Sequence, residues 1–304
     1  MKKLFASCLM FLLLTGCGQN SNKEVSGDIH VYTRDSSSGT REAFEKGVDF
    51  EGNLTKDANE VTSNDDMAAK VGADINGIGY TSLSTDFEKN GVVPVIYEGV
   101  QASTETVLDG SYQLQRPFKF VTRADGDYES EDKQALVKAF LDFLQNSNEG
   151  MAIVAKNGGE VDTTKGVPWA QLALNHPITT KDNQSLTIVT CGSTSVEKTL
   201  KATLEAFSPM AGNFQIIMNQ NGSSDAYKRV LGSEKDGANR ADIGFASREF
   251  KEEEDVSKAM MQGTYCIDAV VAIVNKDNTA YQSFTQQQLF AIYTGEVNQW
   301  EDVK

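Results

Sequence analysis

The chain has 304 residues, 39% of them hydrophobic, which is enough apolar surface for one large core or two medium ones and too much for a disordered polymer. Its formal charge is −15, with 28 Lys and Arg against 43 Asp and Glu, which excludes a nucleic-acid binder that needs a basic face. A small anion is compatible with that charge, because charges beyond a Debye length of about 8 Å are screened and a dehydrated pocket answers to its nearest dipoles.

Lys2 and Lys3 precede an apolar run, Leu4 to Leu14, that is too short to span a bilayer and ends in "LTGC". That ending resembles a bacterial lipobox, which implies a signal peptide over residues 1–16 and a lipidated Cys17 anchoring the mature chain to the cell membrane from outside the cytoplasm. Residues 17–26 are small and polar, as suits a flexible tether. Cys191 and Cys266 remain after processing, each inside an apolar run; two buried thiols and a disulfide are both open, and zinc-ligand spacing is absent.

In chain order, His30 to Thr33 reads as a strand that runs through a loop, Arg34 to Gly39, into a helix with apolar pairs Ala43/Gly47 and Phe44/Val48. The acidic "ADGDYESED" leads into an amphipathic helix with Phe140, Leu141 and Leu144 inward, expected to stop at Gly150. Leu186 to Cys191 is a strand entering Gly192-Ser193-Thr194-Ser195, and the following helix puts Val196, Leu200, Leu204 and Phe207 on one face. Phe214 to Met218 is a third strand, its loop ends Gly222-Ser223-Ser224, and the helix behind has Tyr227 and Leu231 in step. In "ADIGFASREF" a short strand stops at Ser247-Arg248, and "FKEEEDVSKAMM" after it reads as a solvated helix face. Trp169 and Trp300 read as packing residues.

Four times, then, a strand gives way to glycine and hydroxyl residues. Any one such loop is an N-cap, and any one neighbouring arginine a salt bridge. Together they are more: helix N-termini offer unpaired N–H groups, the loops add hydroxyl donors, and Arg34, Arg41 and Arg248 add forked cations, so convergence on one point makes a site for a tetrahedral oxyanion. Catalysis lacks its parts. There is no G-x-S-x-G or G-K-[ST], and the two histidines, His30 opening a strand and His176 before Pro177, read as structural.

The segments "GSTSVEKTLKATLEAF", "NGSSDAYKRV", "ADIGFASREF", "CIDAVVAIVNKDN", "FTQQQLFAIYTGEVNQWEDV", "VYTRDSSSGTREAF", "GIGYTSL" and "YQLQRPFKFVT" resemble the substrate-binding lipoprotein of the bacterial ABC-type phosphate importer, over most of the mature chain. The resemblance implies an α/β, two-lobed periplasmic-binding-protein-like fold of type II, with mixed sheets flanked by helices and a ligand cleft between lobes. Lobe one is expected over 27–98 plus 276–304 and lobe two over 111–275, hinged near "VVAIVNK" and "YQLQRPF". In the family the "GSTSV" segment comes first, so this chain looks circularly permuted, and joining Lys304 to Gly27 restores the family order; the alternative is a piece of a tandem array.

The resemblance further implies phosphate contacts from Thr194, Ser195, Ser223, Ser224, Ser247, Arg248, Arg34, Ser38, Gly39 and Thr40, with Arg41 beside them. No cofactor is implied, and the partners are inorganic phosphate, permease subunits of an ABC importer and the membrane through the lipid anchor. Gly39 lacks a β-carbon, so its backbone can approach a ligand closely. Where the family usually has an acidic residue two places after the arginine, this chain has Ser36, with Asp35 one place earlier. A carboxylate acceptor favours monohydrogen phosphate over sulfate, so the departure leaves a receptor for sulfate, arsenate or another oxyanion as an alternative, beside a sensing or attachment lipoprotein of the same fold.

Overall fold

The computed structural model describes residues 25–304; the expected signal peptide, Cys17 and most of the tether lie outside the described residues. The strands are β1 His30–Arg34, β2 Asn59–Val61, β3 Gly77–Ser82, β4 Val92–Pro94, β5 Ile96–Tyr97, β6 Gln115–Thr122, β7 Thr187–Gly192, β8 Gln215–Gln220, β9 Ile243–Ala246, β10 Gln262–Asn275 and β11 Ser283–Phe284. The main sheet runs β2-β1-β3-β10-β6-β9-β7-β8, with β4 also on β10, while β5 and β11 pair separately. At one end β1 lies parallel to β2 and β3; at the other β7 lies parallel to β8 and β9. Between these parallel sets run β6 and β10, antiparallel to each other and to their outer neighbours.

β10 explains how one sheet serves two cores. Its first part, Gln262–Ala269, pairs with β6, and its second part, Val270–Asn275, pairs with β3 and β4. One hydrophobic cluster gathers Phe44, Tyr80, Val271, Tyr293 and Trp300, and Phe44 stacks on Tyr80 with centroids 4.2 Å apart. The other gathers Phe140, Phe143, Leu200, Phe207 and Phe245. The clusters part between Leu114 and Phe118 and between Cys266 and Ala269. Val270–Val274, grouped with the second lobe on sequence, therefore pack with the first, because the strand continues into pairing with β3.

Local structure follows the apolar periods, with three corrections. Leu136, Phe140, Leu141 and Leu144 of the helix Glu131–Asn146 are fully buried, as are Leu200, Leu204 and Phe207 of the helix Glu197–Phe207. The first helix stops at Ser147 rather than Gly150. The Ser147 hydroxyl donates to the Phe143 carbonyl at 2.6 Å and accepts the Gly150 N–H at 2.8 Å, ending one helix and capping the next, Asn148–Lys156. The helix after Ser223 spans only Ser224–Lys228, so Leu231 lies beyond it; the N–H groups of Leu231 and Gly232 both fold back onto the Tyr227 carbonyl. "FKEEEDVSKAMM" forms turns and a short 3₁₀ segment, Val256–Lys258, instead of a helix face. Cys191 and Cys266 are free, buried thiols, and burial pushes both thiol pKa values up.

The two ends of the folded body meet. The Ile29 N–H donates to the Asn298 carbonyl at 2.9 Å, the Trp300 N–H to the Gly27 carbonyl at 3.0 Å, and the Gly27 N–H to the Glu301 carboxylate at 2.9 Å. Joining Lys304 to Gly27 through a short Gly-Ser linker and reopening the chain between the exposed Gln184 and Ser185 should therefore preserve the fold. The expected result is an unchanged far-UV circular dichroism spectrum with cooperative melting; a molten or aggregated product contradicts the proximity.

Candidate functional site

β8, β7 and β9 lie side by side and parallel, so their carboxyl ends open along one edge, where open α/β sheets characteristically hold ligands. Three hydroxyl loops leave that edge: Ser193–Ser195 after β7, Gly222–Ser224 after β8 and Ser247 after β9. The fourth comes from the other side, where β1 ends in Arg34 and Ser38 caps the helix Gly39–Val48 by accepting the Thr40 and Arg41 N–H groups. The same residues that satisfy helix starts thus bring hydroxyls together.

Ser247 is the centre of one group. Its hydroxyl accepts from that of Ser193 at 2.8 Å, lies 3.2 Å from that of Ser223, and accepts from Arg116 Nη1 at 3.3 Å; its N–H donates to the Ser223 hydroxyl at 3.1 Å. Ser195 is the centre of the other. Its Oγ lies 2.9 Å from the Thr40 hydroxyl and accepts from Asn64 Nδ2 and Arg116 Nη2, each at 3.1 Å. Gly39 lies against the first group: a β-carbon there would stand 2.3 Å from Ser223 Oγ and 2.7 Å from Ser247 Oγ. A cleft of about 470 Å³ adjoins the second, lined by Asn64, Thr85, Thr194, Ser195 and Lys198 among others.

Arg34 has no solvent exposure. Its Nη1 donates to Asn64 Oδ1 at 3.0 Å; its Nη2 donates to the Thr62 carbonyl at 3.0 Å and to Thr194 Oγ1 at 3.3 Å, with Asp35 Oδ2 at 3.5 Å. Its Nε has no hydrogen-bond partner among the described residues. Burial holds the Arg34 pKa below its ordinary value, opposed by the Asp35 carboxylate.

Of the residues expected from sequence, Arg34, Ser38, Gly39, Thr40, Thr194, Ser195, Ser223 and Ser247 come together here. Ser224 opens its helix, half-buried, and makes none of these hydrogen bonds. Ser36 is exposed, and Asp35 Oδ1 is engaged by the N–H and hydroxyl of Ser37. Arg41 turns away to Glu45 at 2.6 Å and to the Arg34 carbonyl at 3.0 Å. Arg248 is spent on carboxylates, with Nη1 2.7 Å and Nη2 2.9 Å from Glu254 and Nε 2.9 Å from Glu42. Burial alone would lower the Arg248 pKa, and Glu254 with Glu42 more than reverses it. The Arg248–Glu42 pair joins the two sides of the cleft, as does Lys198 Nζ donating to the Ser84 carbonyl at 2.7 Å. His30 and His176 are tied to Asp74 and Asp142, each at 2.7 Å, and belong to neither hydroxyl group.

Sequence reasoning missed Ser193, Asn64 and Arg116. Ser193 was within the quoted loop but reads as a cap, and it does accept the Ser195 N–H. Asn64 opens the helix Asn64–Gly72 in a stretch rich in capping residues. Arg116 sits in an apolar crossing strand, where a lone cation is the signal that could have found it.

Two cores carried by two crossing strands, with hydroxyl loops meeting between them, define a two-lobed binding-protein fold. A family model described as the PBP superfamily domain matches residues 19–149 and 177–304, and the chain belongs to that family. The phosphate-binding protein PstS 2 of Streptococcus agalactiae serotype V is 30% identical over 302 residues, covering 96% of this chain and 93% of the relative. The protein of the same name from Streptococcus pneumoniae serotype 4 is 30% identical over 305 residues, with 96% and 94% covered. Alignments of that extent carry this chain's order of segments into both relatives. A crystal structure of a phosphate ABC transporter phosphate-binding protein from Streptococcus pneumoniae TIGR4 superposes with a TM-score of 0.65 and 29% identity, covering 91% of this chain and all of the other.

Gly39→Ala tests the close approach. Alanine suits a first helical turn, so the stability should stay within about 1 kcal/mol of wild type, while the new methyl pushes the Ser223 and Ser247 loops off. Small-angle scattering should show a larger radius of gyration and the Ser247 amide should exchange faster; unchanged scattering and exchange contradict the packing.

Proposed function

We propose that the chain is an extracytoplasmic, lipid-anchored receptor that captures inorganic phosphate between its lobes and delivers it to the permease subunits of an ABC importer. The observation that carries this reading is the convergence of the hydroxyls of Thr40, Ser193, Thr194, Ser195, Ser223 and Ser247 beside the buried Arg34 guanidinium. The names of the streptococcal relatives support the same ligand.

Affinity in such a site comes from many short donors in a water-poor crevice, where each is stronger than in water. The hydroxyls rotate, so those now bonded to one another can turn their protons onto anion oxygens. Gly39 admits the backbone of the first helical turn, and Arg34 supplies charge and a free Nε–H. The lobes we propose to move are 27–114 with 269–304 and 118–266, hinged where β6 and β10 cross between the cores. Closure would bring the Ser38 loop against the loops of the second lobe, and no bond is made or broken.

A second reading, a receptor for another tetrahedral oxyanion such as sulfate, is favoured by one feature. Asp35 Oδ1 is committed to Ser37, so recognition of the proton on monohydrogen phosphate is left to the serine and threonine hydroxyls, which can equally donate to the oxygens of sulfate. Isothermal titration decides. Phosphate should bind one to one; Ser195→Ala should weaken it by roughly tenfold and Arg34→Ala by on the order of 100-fold, the values of one neutral and one charge-assisted hydrogen-bonding group. Sulfate binding as tight as phosphate establishes the second reading, and silence toward every oxyanion removes both.

A further inference from the structure

Arg116 and Asp268 are the buried ion pair of the crossing strands. They stand directly opposite each other in the β6–β10 register, with Arg116 2% exposed and Asp268 fully buried. Arg116 Nε donates to Asp268 Oδ2 at 3.0 Å and Nη2 to the same oxygen at 2.7 Å, while the Ser82 hydroxyl, from the first lobe, donates to Asp268 Oδ1 at 2.7 Å. The Arg116 ring-facing side rests 5.6 Å from the Phe118 centroid, so carboxylate and ring fix the guanidinium from two directions. Its outer edge points the other way. Nη1 reaches Ser247 and Nη2 reaches Ser195, the centres of the two hydroxyl groups described above. A guanidinium has five N–H donors; four are engaged by these partners, which leaves one on Nη1, the nitrogen that also donates to Ser247.

We infer that Arg116 is a second anion-binding guanidinium of this site, and that Asp268, with Ser82 behind it, is the positioning residue that aims it. The inference rests on the oxyanion reading and adds to it. Arg116 donates to the central hydroxyl of each group, and it does so from a strand that links the two lobes. Closure and anion contact are thereby placed on one side chain. Lysine keeps the charge at that position yet cannot span Asp268, Ser195 and Ser247 together, since it lacks the planar fork.

The test is titration with inorganic phosphate, with melting curves measured beside it. Breaking a buried pair from one side risks unfolding, so the decisive variant is the double Arg116→Gln/Asp268→Asn, which removes both charges together and leaves no buried charge unpaired. It should melt cooperatively and bind phosphate roughly 30- to 100-fold more weakly than wild type. Arg116→Lys should lose at least about tenfold despite its charge. Asp268→Asn separates aiming from charge: positioning predicts weaker phosphate binding, whereas a carboxylate that only offsets positive charge predicts tighter binding when removed. A folded double variant with wild-type affinity, or tighter binding by Asp268→Asn, overturns the inference while the binding of wild type leaves the oxyanion reading intact. If wild type itself binds no phosphate, both fall together.

Discussion

A guanidinium with no solvent exposure and no close carboxylate is costly, since removing an ion from water costs several kcal/mol even after relaxation. Arg34 is in that position. Its good hydrogen bonds go to neutral oxygens of Thr62, Asn64 and Thr194, and Asp35, 3.5 Å away on a part-exposed side chain, is a weak counter-charge. Arg116 offers the contrast: equally buried, it holds Asp268 at 2.7 Å. The positive charge left over therefore resides where the hydroxyls meet, and a bound oxyanion is the natural partner for it. That imbalance persists inside a chain of formal charge −15 because the acidic residues are largely at the surface and screened.

The architecture serves this point. Parallel pairing of β7, β8 and β9 puts three strand ends on one edge, and the antiparallel strands β6 and β10 carry the chain between the two cores so that β1 delivers a fourth loop from the opposite side. Gly39 allows the last approach, with no room for a side chain between it and Ser223. Arg248 and Lys198, though cationic and close by, are used to tie the two sides to each other through Glu42 and the Ser84 carbonyl.

Much of this was legible in the sequence because it is encoded locally. Strand-to-helix transitions at Arg34–Gly39 and Gly192–Ser195 announce themselves by caps and apolar period, and the hydroxyl loops that they predict do converge. What was not legible depends on register. Arg116 and Asp268 lie 152 positions apart, and nothing local in "LQRPF" or "YCIDAVV" says that they face one another. The partners of Arg41 and Arg248 were not legible for a similar reason: an arginine beside a loop shows charge, whereas Glu45, Glu42 and Glu254 decide where it points. The break at Ser147 was misplaced because a serine that can both end and begin a helix carries no glycine-like mark.

The most direct test of the central claim is the melting temperature of the protein against phosphate concentration at constant ionic strength. An uncompensated Arg34 that accepts an anion only in the folded state predicts a saturation-dependent rise, worth about 2.7 kcal/mol at one hundred times the dissociation constant, and a rise of only about 0.4 kcal/mol at the same phosphate concentration in Arg34→Met. A melting temperature indifferent to phosphate, or one that rises equally without the guanidinium, contradicts it.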